Sequence, residues 1–265
     1  MSLLQAVVLG ALQGLTEFLP ISSSAHLYVV PTLLGWRYEG LAFDVALHWG
    51  TLLALLAAFW RDWLALVRDV AAPDPARRRE ARATWLKLAA ASVPGALAGV
   101  LLKDLAEGAL RSLPLQAATL AGFGLLLWAV DRLAPRGRGE AIPGWGTCLA
   151  IGTAQAVALV PGVSRSGITI TAGRAAGLTR VSAARFSFLL ATPITFGAGL
   201  FELRHLSGDL PVATLAAGVL SAAIFGLLAI RALIALLGRS GFGGFAIYRI
   251  LLAGVILWSV LARRG

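Results

Sequence analysis

A polar segment with apolar flanks, residues 13–26, is the feature that most restricts how this chain can fold. Its sequence, QGLTEFLPISSSAH, places the carboxylate of Glu17, three consecutive serines and the imidazole of His26 within fourteen residues. The flanks indicate a lipid environment, where an ionisable side chain is costly and marks a functional site by default. We therefore expect these side chains to face other protein groups or a water-filled cavity.

The composition supports a membrane location. Hydrophobic residues make up 58% of the chain and charged residues 14%, against about 45–50% and about 25% in soluble domains. The length of 265 residues predicts a single integral membrane domain over residues 1–265. The one cysteine, Cys148, excludes an internal disulfide framework.

Two pairs of short apolar segments are interrupted by proline. Residues 1–19 and 24–34 are separated at Pro20, and residues 145–160 are separated at Pro161 from a piece that ends near residue 173. Each is shorter than the roughly 20 residues that cross a bilayer. Irregular backbone at membrane depth is tolerated only when it is buried in protein or lines a cavity. Each pair is therefore predicted to be a re-entrant helix hairpin.

The longer apolar segments predict six spanning helices and an all-α, polytopic membrane protein. A polar, arginine-rich loop is expected at residues 61–84. The predicted spanning helices are residues 41–60, 85–102, 114–131, 185–201, 212–237 and 245–262.

The two halves of the chain, about 1–135 and 136–265, resemble each other at an offset of 142 residues. Chance resemblance between alanine- and leucine-rich helices is the alternative, but polar positions match as well, which favours a repeat. The matched pairs are Gly10 with Gly152, Gln13 with Gln155, Ser22 with Ser164 and Ser24 with Ser166. Each half would be a re-entrant hairpin followed by three spanning helices.

The distribution of positive charge predicts the topology. If residues 61–87 are cytoplasmic, the segments on that side hold 16 of the 23 lysines and arginines, as the positive-inside rule requires. The net charge of +10 is thereby explained without nucleic acid as a partner. Three spanning helices per half is an odd number, so the halves are predicted to be inverted. The first hairpin would then enter from outside, and both tips would meet near the midplane.

Gln13 and Glu17 are four residues apart and share one helix face. Two oxygen ligands one turn apart, together with substrate phosphates, suit Mg²⁺ or Ca²⁺. The alternative is a structural carboxylate that accepts hydrogen bonds from serines.

Serines near the proline breaks suit an anionic ligand. Ser22 or Ser23 would cap the helix after Pro20, and a helix N-terminus attracts anions. Ser23 and His26 are three apart, so they are a candidate nucleophile and base; the alternative is a capping serine and a hydrogen-bonded histidine. His48 and Asp44 either line the cavity or join two helices by a hydrogen bond.

The second break carries Arg165 between two serines. Its guanidinium suits phosphate oxygens, or it pairs with Glu17 without a ligand. The predicted substrate-binding residues are Ser22, Ser24, Ser164, Ser166, Gly167 and Thr169. Together these residues predict a protein that handles a phosphate or diphosphate carried on a lipid.

Two segments resemble the signatures of a known family. QGLTEFLPISSSAH, residues 13–26, closely resembles the first signature of the bacterial undecaprenyl-diphosphate phosphatase family, also known for bacitracin resistance. PGVSRSGIT, residues 161–169, is similar to the second. The departures are Gln13, the neutral option at its position, and Ser24-Ala25 where the family often has Thr-Gly.

The resemblance implies hydrolysis of undecaprenyl diphosphate to undecaprenyl phosphate and inorganic phosphate, which recycles a lipid carrier for cell-wall synthesis. It implies a divalent metal, Mg²⁺ or Ca²⁺, at Glu17 and Gln13. It also implies a bacterial inner-membrane protein whose site opens to the periplasmic face. It places Ser22, Ser23, His26 and Arg165 on positions that are catalytic in the family. The predicted catalytic residues are Ser23, His26, Glu17 and Arg165.

Three attacking groups stay open: Ser23 with His26 as its base, His26 itself, or a metal-bound water. A lipid-phosphate flippase or transporter is the alternative function, since inverted repeats are common in transporters. An anchored soluble-type phosphatase is excluded because no polar stretch is long enough to form one. The expected partners are the lipid substrate and the membrane, with a homodimer as a candidate assembly.

Overall fold

The computed structural model describes residues 1–36, 41–102, 105, 108, 110, 112–134, 137–202 and 211–262. Within these residues the fold is all-helical, and the sole β-type contact is an isolated bridge between Arg138 and Leu178. The helices are α1 (Leu3–Phe18), α2 (Ser23–Leu34), α3 (Leu41–Ala58), α4 (Trp60–Asp69), α5 (Pro75–Leu101), α6 (Leu113–Leu133), α7 (Trp145–Ala156), α8 (Arg165–Ala175), α9 (Arg180–Glu202), α10 (Val212–Leu237) and α11 (Gly243–Ala262).

The described helices confirm a polytopic membrane protein. Helices α5, α6, α9, α10 and α11 are long and apolar enough to cross a bilayer. Helices α3 and α4 together make a sixth candidate span, bent by 70° at their junction. Helix α1 and the segment Trp145–Leu159 are apolar but shorter, as expected for the two interrupted pairs.

The prediction of a polar loop at residues 61–84 is wrong, because most of that segment is helical. Helix α4 occupies Trp60–Asp69, and α5 begins at Pro75. The Asp74 carboxylate accepts a hydrogen bond from the Ala76 N–H at 2.9 Å, and proline is favoured at the first helical position. The Pro73-Asp74-Pro75 sequence is therefore a helix start, and the three consecutive arginines 77–79 lie in the first turns of α5.

Glycines allow the short helices to approach their neighbours at backbone distance. A Cβ atom at Gly10 or Gly14 of α1 would collide with backbone of α10. A Cβ atom at Gly152 of α7 would collide with backbone at Ala91 of α5. Small residues of this kind drive helix association in lipid, where close packing replaces the hydrophobic effect.

Arg249 of α11 joins the two helix breaks, which are residues 19–22 between α1 and α2 and residues 160–164 before α8. Its side chain is fully buried and forms no ion pair with any described residue. It donates five hydrogen bonds of 2.9–3.3 Å, all to backbone carbonyls, those of Pro20, Thr119, Leu120, Gly162 and Val163. One guanidinium therefore satisfies carbonyls from both breaks and from α6.

Replacement of Gly10 by alanine should lower the thermal stability of the detergent-solubilised protein, because the added methyl group meets the Gly218 carbonyl and Ser221 of α10. Overpacking of this kind costs about 1–3 kcal/mol. The measurement is the unfolding temperature against that of Gly99→Ala, since a Cβ at Gly99 meets nothing within 4 Å. Equal unfolding temperatures would contradict the close approach.

Arg249→Met should destabilise the protein more strongly. It removes the donor from five carbonyls, and those of Pro20, Gly162 and Val163 lie in the helix breaks, outside any helical hydrogen bond. Each buried unsatisfied polar group costs about 1–3 kcal/mol. The unfolding temperature in detergent measures the effect, with Arg239→Met as the control because Arg239 is exposed. An unfolding temperature for Arg249→Met within a degree or two of the control would show that the breaks do not depend on this side chain.

Candidate active site

A cavity of about 310 Å³ lies where both helix breaks meet α3, α5 and α9. Its walls are mostly apolar, and its polar side chains come from six helices or their ends. Those polar residues are Glu17, Ser22, Ser23, Ser24, His48, Gln155, Ser164, Arg165 and Thr195. Three of the predicted catalytic residues, Glu17, Ser23 and Arg165, therefore line one cavity.

Glu17 is the centre of the hydrogen bonds in this cavity. Ser23 Oγ donates to Glu17 Oε2 at 2.6 Å, and Gln13 Nε2 donates to the same oxygen at 3.1 Å. Arg165 forms an ion pair with Glu17 Oε1. The predicted shared face of Gln13 and Glu17 is confirmed. Glu17 also accepts a hydrogen bond from a serine and pairs with Arg165, so both structural alternatives given for it are observed.

The serines at the ends of the two breaks share an unusual backbone conformation. Ser22 has φ 74° and Ser164 has φ 72°, and they are the described non-glycine residues with positive φ. In both breaks the serine Oγ lies 3.2 Å from the Oγ of the serine two residues on, Ser24 and Ser166 respectively. Backbone in this region costs about 1–3 kcal/mol and clusters at functional sites. The two breaks thus share a serine backbone conformation and a serine–serine contact 142 residues apart.

His26 forms no hydrogen bond with Ser23, so of the two alternatives for this pair the hydrogen-bonded histidine is the one observed. Its Nδ1 lies 2.7 Å from the Ser22 carbonyl oxygen and its Nε2 lies 2.7 Å from the Tyr248 hydroxyl. Both ring nitrogens are therefore engaged, and the His26 side chain is buried. Tyr248, which the sequence did not single out, stacks on the imidazole with ring centroids 5.7 Å apart.

Half of the predicted substrate-binding residues line the cavity, namely Ser22, Ser24 and Ser164. The other three lie behind its wall, where they bond to protein. Ser166 Oγ donates to the Leu19 carbonyl, Gly167 N–H donates to Ser164 Oγ, and Thr169 Oγ1 lies 2.7 Å from Ser187 Oγ. Direct contact of these three with a substrate would require rearrangement, because their polar groups hold the second break together.

The N-terminus of α2 is also different from the prediction. Ser22 occupies the capping position, but its side chain makes no capping hydrogen bond. Ser164 does cap α8 through Gly167 N–H at 3.1 Å. The first N–H groups of α2, beside Ser23, are thus left without a side-chain cap.

His48 lies closer to Glu17 than the sequence predicted. It lines the cavity, and its Nε2 lies 3.7 Å from Glu17 Oε2. Its Nδ1 lies 2.7 Å from the Asp44 carbonyl oxygen of its own helix. Of the two alternatives weighed for His48, the cavity position is the one observed, and polarity in the middle of an apolar helix was the signal.

The protein oxygen atoms near Glu17 are too few to hold a metal ion alone, and a bound ligand would have to supply further oxygen atoms. Gln13 is fully buried, and its Oε1 has no hydrogen-bond partner among the described residues. No group of three or more His, Cys, Asp or Glu in the described part of the chain could hold a metal ion. One carboxylate with a spare amide oxygen matches Mg²⁺ sites in which substrate phosphates complete the coordination.

Comparison with known proteins identifies the family of this chain. The model of the family described as bacitracin resistance protein BacA matches residues 6–255. A protein named undecaprenyl-diphosphatase in Pelotomaculum thermopropionicum is 47% identical over 268 residues, which cover 100% of this chain and 98% of the relative. Proteins of the same name are 47% identical in Gemmatimonas aurantiaca over 270 residues and in Moorella thermoacetica over 264 residues, each covering 100% of both chains. The chain therefore belongs to the bacitracin resistance protein BacA family.

Proposed function

We propose that this protein is a membrane phosphatase that hydrolyses undecaprenyl diphosphate to undecaprenyl phosphate and inorganic phosphate. The observation that carries the proposal is the Ser23 hydroxyl, which donates to Glu17 at 2.6 Å in the cavity that Arg165 also lines. A hydroxyl held against a carboxylate, with a cation alongside, suits attack on phosphorus. The relatives named undecaprenyl-diphosphatase support the choice of lipid.

Ser23 is the proposed nucleophile and Glu17 its base. Ser23 Oγ forms a bond to the terminal phosphorus while its proton passes to Glu17 Oε2. The bond from that phosphorus to the bridging oxygen breaks, and undecaprenyl phosphate departs and takes the proton from Glu17. A water then attacks the phosphoserine, giving its proton to Glu17, and Glu17 returns it to Ser23 Oγ as inorganic phosphate leaves.

The remaining polar groups orient these reactants. Arg165 is positioned to neutralise phosphate oxygens, since its Nη1 is buried without a hydrogen-bond partner among the described residues. His26 is assigned a positioning role, because it holds the Ser22 carbonyl one residue before the nucleophile. Attack by His26 is less favoured, since its Nε2 is engaged by Tyr248.

Glu17 and Gln13 are the proposed protein ligands of a divalent metal, Mg²⁺ or Ca²⁺, that binds together with the diphosphate. The unpaired Gln13 Oε1 supports this assignment. When bound, such an ion would neutralise charge on the phosphate oxygens.

An inverted repeat of two re-entrant hairpins, each followed by three spanning helices, is the proposed architecture. The matching conformations of Ser22 and Ser164 support it. The packing supports it as well, because α1 lies against α10 while α7, the counterpart of α1, lies against α5, the counterpart of α10.

The proposed location is the bacterial inner membrane, with the cavity open to the periplasmic side. The cavity is lined by the first half of α3, at Val45 and His48, and by the second half of α9, at Ile194 and Ala198. Helix α4 and the arginines of α5 lie at the opposite ends of these spans. If the basic end is cytoplasmic, the cavity faces outward.

Ser23→Ala should abolish phosphate release by the purified protein, and Glu17→Gln should lower kcat by about 10²–10⁴-fold, the usual contribution of a general base. Ser92→Ala is the matched control, since Ser92 Oγ donates to the Leu88 carbonyl of its own helix and Ser92 does not line the cavity. Acid quenching of a reaction labelled on the terminal phosphate should trap label on Ser23. Near-normal turnover by Ser23→Ala would remove serine as the nucleophile.

Excess chelator should stop phosphate release in detergent, and added Mg²⁺ or Ca²⁺ should restore it. Gln13→Leu should raise the metal concentration for half-maximal activity about tenfold. Loss of even a group that only supports a metal ligand typically lowers metal affinity 10–100-fold. Undiminished activity in excess chelator would contradict the metal assignment. Release in detergent requires no second compartment, so lipid movement in liposomes without phosphate release would favour the flippase alternative instead.

A further inference from the structure

Gln155 of α7 is a buried amide at the wall of the active-site cavity. It is 4% exposed and lines the cavity together with Gly95 of α5. Its Nε2 lies so close to Gly95 that a Cβ atom there would approach it to 2.9 Å. The absence of a side chain at Gly95 therefore leaves room for this amide at the cavity wall.

Neither amide atom of Gln155 forms a hydrogen bond with any described residue. A buried polar group without a partner costs about 1–3 kcal/mol, and a leucine of similar volume would avoid that cost. Gln13, at the equivalent position of α1, donates its amide to Glu17 at 3.1 Å. The residue that would correspond to Glu17 in the second half is Leu159, so Gln155 has lost the partner that its counterpart keeps.

Arg165 shares two features with Gln155. It lines the same cavity, and its Nη1 is also buried without a hydrogen-bond partner among the described residues. The unpaired donors, Arg165 Nη1 and Gln155 Nε2, outnumber the one unpaired acceptor, Gln155 Oε1, and donors in excess at a buried site suit an anion. The terminal torsion of glutamine is soft, so rotation about it can turn the amide N–H toward the cavity that Gln155 lines. Polar ligand oxygens would then satisfy both donors at once.

We propose that Gln155 is a further substrate-binding residue, whose amide donates to a phosphate oxygen of the diphosphate beside Arg165. The inference rests on the proposed function for the identity of the substrate. It does not depend on whether Ser23 or water attacks, because the contact exists in the bound ground state.

The test compares Gln155→Leu with Gln116→Leu. Gln116 of α6 is also buried, at 1% exposure, and both of its amide atoms also lack partners, but it does not line the cavity. Gln155→Leu should raise KM for undecaprenyl diphosphate, and the inhibition constant of inorganic pyrophosphate, by about 10- to 100-fold, since a hydrogen bond to a charged group is lost.

Gln116→Leu should leave both constants within about twofold. This control separates the loss of a ligand contact from the removal of a buried, unpaired amide, which both variants share.

The outcomes distinguish this inference from the proposed function. Unchanged KM and pyrophosphate inhibition in Gln155→Leu, with normal turnover by the unaltered protein, would overturn the role of Gln155 alone. If the unaltered protein released no phosphate, calorimetric titration with pyrophosphate would still test the amide, because weaker binding to Gln155→Leu than to Gln116→Leu would support it. Equal shifts in the two variants would show that Gln155 acts only through packing.

Discussion

The five hydrogen bonds from Arg249 to backbone carbonyls are the interaction on which the site depends. A helix that stops inside the membrane leaves carbonyl groups that water cannot reach, and each such group is costly. Here two helices stop near one another, and one guanidinium binds Pro20 of the first break and Gly162 and Val163 of the second. The planar fork of arginine carries five N–H donors, against three on a lysine ammonium, so one side chain can reach carbonyls of both breaks and of α6.

This arrangement also sets the charge of the site. The positive charge of Arg249 is stabilised by carbonyl dipoles rather than by a carboxylate. This charge lies beside the two breaks, after which α2 and α8 begin. Arg165 adds a second cation, and Glu17 is the carboxylate that lines the cavity. The described groups therefore leave the region net positive, and a diphosphate would supply the missing negative charge. The same balance explains how the buried Glu17 carboxylate is tolerated: its ion pair with Arg165 is completed by donors from Ser23 and Gln13.

The parts of this structure that follow from local patterns were predictable, and the parts that depend on distant contacts were not. Helix existence, the two breaks and the pairing of Gln13 with Glu17 follow from apolar run length, proline and helical spacing. The segment 61–84 was predicted as a loop because its charge outweighed its amphipathic pattern and the capping signal of Asp74-Pro75. The charge count that predicts the topology includes Arg249 among its 16 cytoplasmic charges, although a single arginine in an otherwise apolar helix signals a buried role. Its carbonyl partners lie 86–229 residues away in sequence, and Tyr248 lies 222 residues from His26. No spacing rule reaches so far.

The differences between the two halves say more about function than their similarities do. At the offset of 142 residues, the positions that shape the helix breaks carry the same residue type, as in Ser22 and Ser164. The positions proposed to react with or hold the phosphate carry different residue types. Ser23 corresponds to Arg165, and Glu17 corresponds to Leu159. A carrier that exposes one site alternately to both sides uses its two halves in exchangeable roles. In this chain one half supplies the hydroxyl and the carboxylate, and the other supplies the cation. Such a division gives a reacting phosphate a nucleophile on one side and charge stabilisation on the other, which a transporter does not need and a phosphatase does.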